Sequence, residues 1–137
     1  MNWDLKNLVK MSQDIVADAL NQIMNAARVE KKEVEIRRIS KLLINLFKMM
    51  KENGHIDFEV IDEDKKPRAI VKILKINECK AIKPRYTVKV KDIDKYLRRF
   101  LPSRNFGVLV ISTSRGLMSH TDALKNKIGG CLIAYFY

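Results

Sequence analysis

The sequence predicts an α+β fold, with an N-terminal α-β-α-β-β subdomain packed against a mainly β C-terminal subdomain that has short helices. In the first half, two segments with apolar residues at helical spacing alternate with short segments of period-two spacing. In the second half, short apolar runs separated by polar turns dominate, which is typical of strands. Helices and antiparallel strands mixed in this way form α+β domains.

The N-terminal half carries clear start and stop signals. Its pattern predicts a helix over residues 14–28, a strand over 32–36, a helix over 41–53, and a hairpin of strands near 56–60 and 70–73. Ser12 or Asp14 is the expected N-cap of the first helix, and Ser40 that of the second. Gly54 is suited to ending the second helix. A charged turn over residues 62–66 would join the two hairpin strands.

The C-terminal half is richer in strands. Its pattern predicts a strand over residues 82–90, a helix over 93–100, a buried strand over 106–111, a short helix ending at 125, and a closing strand over 132–137. Pro102 stops the first of these helices, and Ser119 is the expected N-cap of the second. We therefore expect an N-terminal extension over 1–13, an α/β domain over 14–75 and a mainly β domain over 76–137.

Positive charge is concentrated in one stretch of the chain. The net charge is +11, and residues 75–105 alone carry 10 basic and 3 acidic side chains. Such a protein is suited to nucleic acid, an anionic membrane surface or an acidic protein. No apolar run approaches the ~20 residues needed to cross a bilayer, and the long helices carry mixed charge, so no membrane role is expected. RNA binding is favoured, and a protein–protein adaptor for acidic partners is the alternative.

The segment Ser112-Thr113-Ser114-Arg115-Gly116 is the most informative local feature. Three consecutive hydroxyls at a strand end can donate and accept hydrogen bonds, and Gly116 permits close backbone approach. Arg115 offers a planar fork for phosphate or a stacked base. The segment would suit sugar and base edges of an irregular RNA. A plain polar turn between two strands is the alternative.

Catalytic and metal-binding arrangements are weak in this sequence. His120 and Asp122 lie near the serines, but a polar or capping residue at a helix start is the simpler interpretation of His120. His55, Cys79, Cys131 and His120 contain no closely spaced pair of the kind that zinc sites use. We therefore expect no enzyme activity, metal, cofactor or small-molecule substrate. Two cysteines give no disulfide framework, so a reducing, cytoplasmic compartment is expected.

Aromatic residues lie beside several basic residues. Tyr86 neighbours Lys83 and Arg85, and Tyr86 is the better candidate for stacking on an RNA base. Tyr96 and Phe100 bracket two arginines, but we expect these rings to pack their helix onto the sheet.

Several motifs resemble the eighth small-subunit ribosomal protein family. The C-terminal signature is Phe106-Gly107, Ser112-Thr113-Ser114-x-Gly116-Leu117-Met118-Ser119-His120, and Gly129-Gly130 before a closing strand. Other segments resemble the archaeal and eukaryotic branch: Ile76-Asn77-x-Cys79-x-Ala81-Ile82-Lys83-Pro84-Arg85-Tyr86, Leu101-Pro102-Ser103-Arg104, Ser40-Lys41-Leu42 and Gly54-His55-Ile56. The resemblance covers residues 14–137 in order.

The resemblance implies an α/β domain followed by a mainly β RNA-binding domain. It implies binding to the central domain of small-subunit ribosomal RNA, help in assembling that domain, and neighbouring small-subunit ribosomal proteins as partners. Some relatives also bind a similar stem in their own messenger RNA. The resemblance assigns the main RNA-reading role to Ser112, Thr113, Ser114 and Gly116, backbone contact to Ser40 and Lys41, and a basic, aromatic contribution to Lys83, Arg85 and Tyr86.

Overall fold

The computed structural model describes residues 2–62, 67–83, 85–103 and 106–137, with side chains from residue 15 onward. The chain divides into unit 1, Met1–Lys75, and unit 2, Ile76–Tyr137. Unit 1 contains α1 (Asn2–Arg28), β1 (Glu33–Ile36), α2 (Lys41–Glu52), β2 (Ile56–Ile61) and β3 (Arg68–Ile73). The α+β class and the α-β-α-β-β order of this unit are confirmed.

Unit 1 is built on a three-stranded antiparallel sheet in the order β1-β3-β2. Val34 and Phe58 both pair with Val71 of the central strand, so apolar residues of the three strands share one face. The α-helices contribute fully buried side chains to the core of this unit, among them Leu20, Ile23, Leu43, Leu46, Phe47 and Met50. This burial provides most of the stabilisation of two amphipathic helices.

The second helix begins and ends close to the predicted positions. The Ser40 side chain accepts a hydrogen bond from the Leu43 N–H, which satisfies one of the free donors of the first turn. Asn53 is the C-cap, and Gly54 follows with a φ of +79°, a conformation that favours glycine. The predicted N-cap and stop signal of this helix are therefore confirmed.

The first helix is longer than predicted. It begins at Asn2, so the expected N-cap at Ser12 or Asp14 is wrong. The segment before Asp14 contains neither glycine nor proline, and an established helix extends readily through such residues. The side chains of the expected extension, and residues 63–66 of the expected charged turn, lie outside the described residues.

Unit 2 is built on a five-stranded antiparallel sheet. It contains β4 (Cys79–Ala81), β5 (Thr87–Val88), a 3-10 turn (Val90–Asp92), α3 (Ile93–Phe100), β6 (Val108–Thr113), β7 (Gly116–Ser119), α4 (His120–Lys125) and β8 (Gly130–Phe136). The strand order is β4-β8-β6-β7, and β5 also pairs with β8. The core of this unit joins Leu109, Ile111 and Leu132 from the sheet to Ile93 and Leu97 from α3.

The predictions for the two helices of unit 2 are confirmed. The helix α3 has the predicted bounds, and the Ser119 side chain caps α4 by accepting a hydrogen bond from the Asp122 N–H. Leu97 is buried, while Tyr96 and Phe100 pack partly buried against the core, so this helix lies on the sheet as expected.

Two strand predictions are wrong in detail. Of the expected strand over 82–90, the described residues form only the short strand β5, whereas β4 lies before this segment; the two strands pair with different parts of β8. Pro84, within the expected strand, has no N–H to donate to a neighbouring strand. The expected strand over 106–111 begins only at Val108, because Gly107 has a φ of +105° and Phe106 is 49% exposed. Within the described residues, no helix is long and apolar enough to span a membrane.

Candidate nucleic-acid interface

The predicted polar loop is a tight β-hairpin. Thr113 at the end of β6 pairs with Gly116 at the start of β7, so only Ser114 and Arg115 form the turn. Both turn residues are exposed. Gly116 has a φ of +107°, a backbone conformation that residues other than glycine rarely adopt. The polar segment is therefore presented as a short, conformationally defined tip.

The three hydroxyl groups of the hairpin have different roles. The Thr113 hydroxyl donates a hydrogen bond to the Gly116 carbonyl at 2.8 Å and accepts one from the Arg115 N–H at 3.1 Å. Its single proton is therefore already used to fix the turn. Ser112 is half-buried on the strand, whereas Ser114 is exposed at the tip. Ser114 is consequently the hydroxyl best placed to meet an outside partner.

The neighbouring strand holds the hairpin from one side. Ser112 pairs with Cys131 of β8, and a side chain added at Gly130 would collide with the Ser112 carbonyl. Gly130 therefore permits a close approach of two backbones at the base of the hairpin. Sequence reasoning assigned the Gly129-Gly130 pair only to a turn, and no local pattern indicates which backbone it approaches.

The segment with Lys83, Arg85 and Tyr86 reaches the same sheet as the hairpin. Thr87 and Ser112 pair with the same residue, Cys131, from opposite sides of β8. Two strand spacings of ~4.8 Å place Thr87 and Ser112 about 10 Å apart. Lys83 is exposed, whereas Arg85 and Tyr86 are half-buried. The structure thus brings two of the predicted site segments together.

Tyr86 lies in a defined surrounding. Its ring is 5.7 Å from the Tyr96 ring, centroid to centroid, and the Arg99 guanidinium carbon lies 5.6 Å from its centroid. Its carbonyl accepts a hydrogen bond from the Leu132 N–H at 2.8 Å. Both the backbone and the ring of Tyr86 are therefore held before any ligand arrives.

Arg99 is a neighbour of the site that sequence reasoning missed. Its guanidinium also lies 5.5 Å from the Phe100 ring centroid. The adjacent Arg98 instead pairs with Asp94 at 3.2 Å, one helical turn away. Helical spacing was the available signal, because positions three and four after Tyr96 share its face of α3 whereas the second position does not.

Ser40 and Lys41 lie at the start of α2, in unit 1. The Ser40 oxygen serves as a cap acceptor for the Leu43 N–H at 3.2 Å. Lys41 is exposed, and the first turn of α2 contains no acidic residue. The start of this helix therefore carries an uncompensated partial positive charge, which favours anions.

His120 lies at a helix start, as predicted, but it is not the capping residue. It lies at the start of α4, but Ser119 is the cap and the His120 ring is buried. Its Nδ1 accepts a hydrogen bond from the Leu109 N–H at 3.1 Å, which requires an unprotonated Nδ1. Burial lowers the pKa of His120, and the charge of Asp122 opposes this effect only in part. The residue therefore connects α4 to β6.

The remaining candidate ligands do not form a metal centre in the described part of the chain, where no group of three or more potential ligands was found. Burial raises the pKa of the Cys79 thiol to about 12, so this group stays protonated. Cys131 is half-buried, and its thiol lies 3.9 Å from the Leu132 carbonyl oxygen. Neither cysteine forms a disulfide.

Fold and surface together define a basic α+β protein of two units, with a polar hairpin and a basic aromatic segment on one sheet. The profile of the family described as Ribosomal protein S8 matches residues 14–137. The chain is 41% identical over 127 residues to small ribosomal subunit proteins uS8A and uS8B of Schizosaccharomyces pombe, covering 91% of this chain and 98% of each relative. It is 42% identical over 129 residues to small ribosomal subunit protein uS8 of Archaeoglobus fulgidus, covering 93% of this chain and 100% of that protein.

The chain therefore belongs to the ribosomal protein S8 family. This family assignment confirms the resemblance found in the sequence. It makes the chain a structural protein of the ribosome and not an enzyme.

Proposed function

We propose that this chain is a structural constituent of the small ribosomal subunit that binds the central domain of its ribosomal RNA and assists the assembly of that domain. Family membership and the names of its relatives support the ribosomal role. The observation that carries the RNA-binding role is the exposed Ser114-Arg115 tip on the same sheet as Arg85 and Tyr86. Its partners would be that RNA and neighbouring small-subunit proteins, in the cytoplasm.

The hairpin would read a shaped RNA stem. Because Thr113 and Gly116 fix the turn, Ser114 meets the RNA without a large loss of loop entropy. Its hydroxyl can donate to and accept from sugar and base edges, and Arg115 can contact phosphate through its fork. Ser112 lies one strand position further in and would contribute at the base of the tip.

The adjacent segment would supply charge and a stacking surface. Arg85 and Lys83 would neutralise phosphates, which is the main source of affinity in most RNA complexes. Tyr86, already oriented by Tyr96 and Arg99, would stack on an accessible base. In unit 1, Lys41 and the free N–H groups at the start of α2 would contact the RNA backbone.

The test is binding of full-length protein to a stem from the central domain across a salt series. The Ser114→Ala variant should lose about 1–3 kcal/mol of binding free energy at every salt concentration, because it removes a directional contact and no charge. Ser103→Ala, which removes an exposed hydroxyl elsewhere in unit 2, is the matched control and should bind as the wild type does. Equal binding of wild type and Ser114→Ala to all RNAs, with salt as the only determinant, would contradict the proposal.

A further inference from the structure

Unit 2 carries a continuous series of neighbouring aromatic rings, here called the aromatic row. In order along the surface these are Tyr86, Tyr96, Phe100, Tyr135, Tyr137 and Phe106, with successive centroid separations of 5.7, 6.5, 5.4, 6.3 and 5.9 Å. Five of the rings are half-buried, and Phe106 is exposed. The row therefore forms a ribbon of partly solvated rings that extends well beyond Tyr86.

The rings share an orientation over the middle of the row. Tyr96 and Phe100 are inclined by 11°, Phe100 and Tyr135 by 26°, and Tyr135 and Tyr137 by 16°. Tyr96 and Phe100 belong to α3, Tyr135 belongs to β8 and Tyr137 follows it, and all four rings pack against the core of unit 2. Because that packing fixes the rings, their exposed parts form a preorganised surface.

Positive charge accompanies the row. The Arg99 guanidinium lies over both Tyr86 and Phe100, and no carboxylate lies within ion-pair distance of it among the described residues. Lys80 is exposed and pairs with Tyr135 across β4 and β8. The acidic neighbour, Glu78, accepts a hydrogen bond from the Tyr137 hydroxyl at 2.6 Å. The surface thus combines planar rings with cationic donors.

We propose that the aromatic row binds an unpaired, single-stranded segment of RNA, with bases stacked on the rings and phosphates contacted by Arg99 and Lys80. Stacking platforms beside cationic side chains are the chemistry by which proteins hold single strands. A partner protein would use the apolar rings but would gain less from a surface of this charge, because unit 2 carries 12 basic and 4 acidic residues. The inference rests on the proposed function in that its ligand is RNA and its first ring is Tyr86, but it extends the contact to five further rings and to unpaired bases.

The test uses the full chain and two probes. The first probe is an oligouridylate of about eight nucleotides carrying one 2-aminopurine, which is fluorescent in this weakly stacked strand and is quenched when it stacks on an aromatic ring. The second is the central-domain stem. Phe106→Ala alters an exposed ring without opening the core, and Leu74→Ala, at a 61% exposed apolar residue of unit 1, is its control. Arg99→Gln and Arg98→Gln remove the same charge from the same helix, but only Arg99 lies over the rings.

We expect Phe106→Ala and Arg99→Gln each to weaken oligonucleotide binding about fivefold or more and to reduce the quenching, whereas both controls should change binding about twofold or less. Equal oligonucleotide affinity for Arg99→Gln and Arg98→Gln, with unchanged quenching in Phe106→Ala, would overturn the inference. In that case selective binding of the stem by the wild type would still leave the proposed function standing. Conversely, the protein could quench the oligonucleotide through the aromatic row and yet show no selective binding of the stem. That result would contradict only the proposed function.

Discussion

The two units carry their surface charge in different ways. Unit 1 has 15 basic and 12 acidic residues, and its described ion pairs are Arg37–Glu35, Arg38–Asp18, Lys51–Asp57 and Arg68–Glu35. Unit 2 has 12 basic residues but only 4 acidic ones, so its basic residues outnumber its acidic residues threefold. Its described ion pair joins Arg98 to Asp94. This excess of basic residues supports the proposal that unit 2 makes the main contact with RNA phosphates.

The electrostatic effect of pairing in unit 1 is visible at Asp57. The Lys51 ammonium lies 3.2 Å from this carboxylate, and through its hydrogen bond and charge it holds the pKa of Asp57 below the ordinary value. Each such cation already has a counter-ion within the protein. An RNA phosphate that approached it would compete with that carboxylate, whereas unit 2 offers an excess of basic over acidic residues.

The largest expected effect is a loss of stability in unit 2. Gly130→Ala would force a side chain against the Ser112 carbonyl, and we expect it to lower the free energy of unfolding by about 2–3 kcal/mol. Urea denaturation measures this change. Gly116→Ala is the control for conformation alone, because a side chain there has open space but an unfavourable φ of +107°. A Gly130→Ala protein as stable as wild type would show that β8 does not hold the hairpin.

The next effect sharpens the electrostatic difference between the units. Arg115→Gln should reduce the slope of log K against log salt for the central-domain stem by about 1, because one phosphate contact is lost. Arg37→Gln, which removes a cation paired with Glu35 at 3.7 Å, should leave the slope nearly unchanged. Equal changes in the two slopes would remove the distinction between the units.

A third effect separates stability from binding at the start of α2. Ser40→Ala should destabilise unit 1 by about 1 kcal/mol, because the Leu43 N–H loses its acceptor. Lys41→Gln should weaken RNA binding modestly while leaving the unfolding free energy unchanged, since Lys41 is exposed. Denaturation and stem binding are measured on both variants. If Lys41→Gln destabilised the fold and left RNA binding intact, the assignment of stability to Ser40 and of binding to Lys41 would be contradicted.

The smallest expected effect is a pH dependence in unit 2. The folded-state pKa of His120 lies below its ordinary value of 6.5, so the unfolded chain takes up a proton first as the pH falls. Stability is therefore retained above pH 6.5 and is lost progressively below it, down to the folded-state pKa. Denaturation at about pH 7.5 and about pH 5.5 measures the loss.

Two histidine variants test whether this pH dependence comes from His120. His120→Gln should abolish the His120 contribution, although it also lowers stability overall because the Leu109 N–H loses its ring acceptor. His55→Gln, in unit 1, should keep the dependence. An unchanged pH profile in His120→Gln would contradict the assignment.

Local signals predicted the elements whose ends depend on local chemistry. Ser40 and Ser119 cap α2 and α4, and Ile93 to Phe100 form α3, because capping and helical spacing act within a few residues. The strands that depend on partners were harder to predict. Whether residues 82–90 form one strand is decided by pairing with the distant β8, and the start of β6 by the backbone conformation of Gly107.

The candidate site was predicted as a set of residue types but not as a geometry. The sequence indicated three consecutive hydroxyls with no distinction among them, whereas the Thr113 hydroxyl is used within the turn and only Ser114 of the three is exposed. The approach of Gly130 to Ser112, and of Arg99 to Tyr86, joins residues 18 and 13 positions apart. Such contacts depend on strand register and helix orientation, which composition and local spacing do not determine. The roles of the ten predicted site residues in RNA binding stay predictions.

The most direct test is hydrogen exchange on the full chain, with and without the central-domain stem. We predict that the stem slows exchange most in peptides covering Ser112–Gly116 and the segment around Tyr86, with a smaller effect at the start of α2. Unchanged exchange over Ser112–Gly116 in the bound protein, with protection confined to the ion-paired surface of unit 1, would contradict the account.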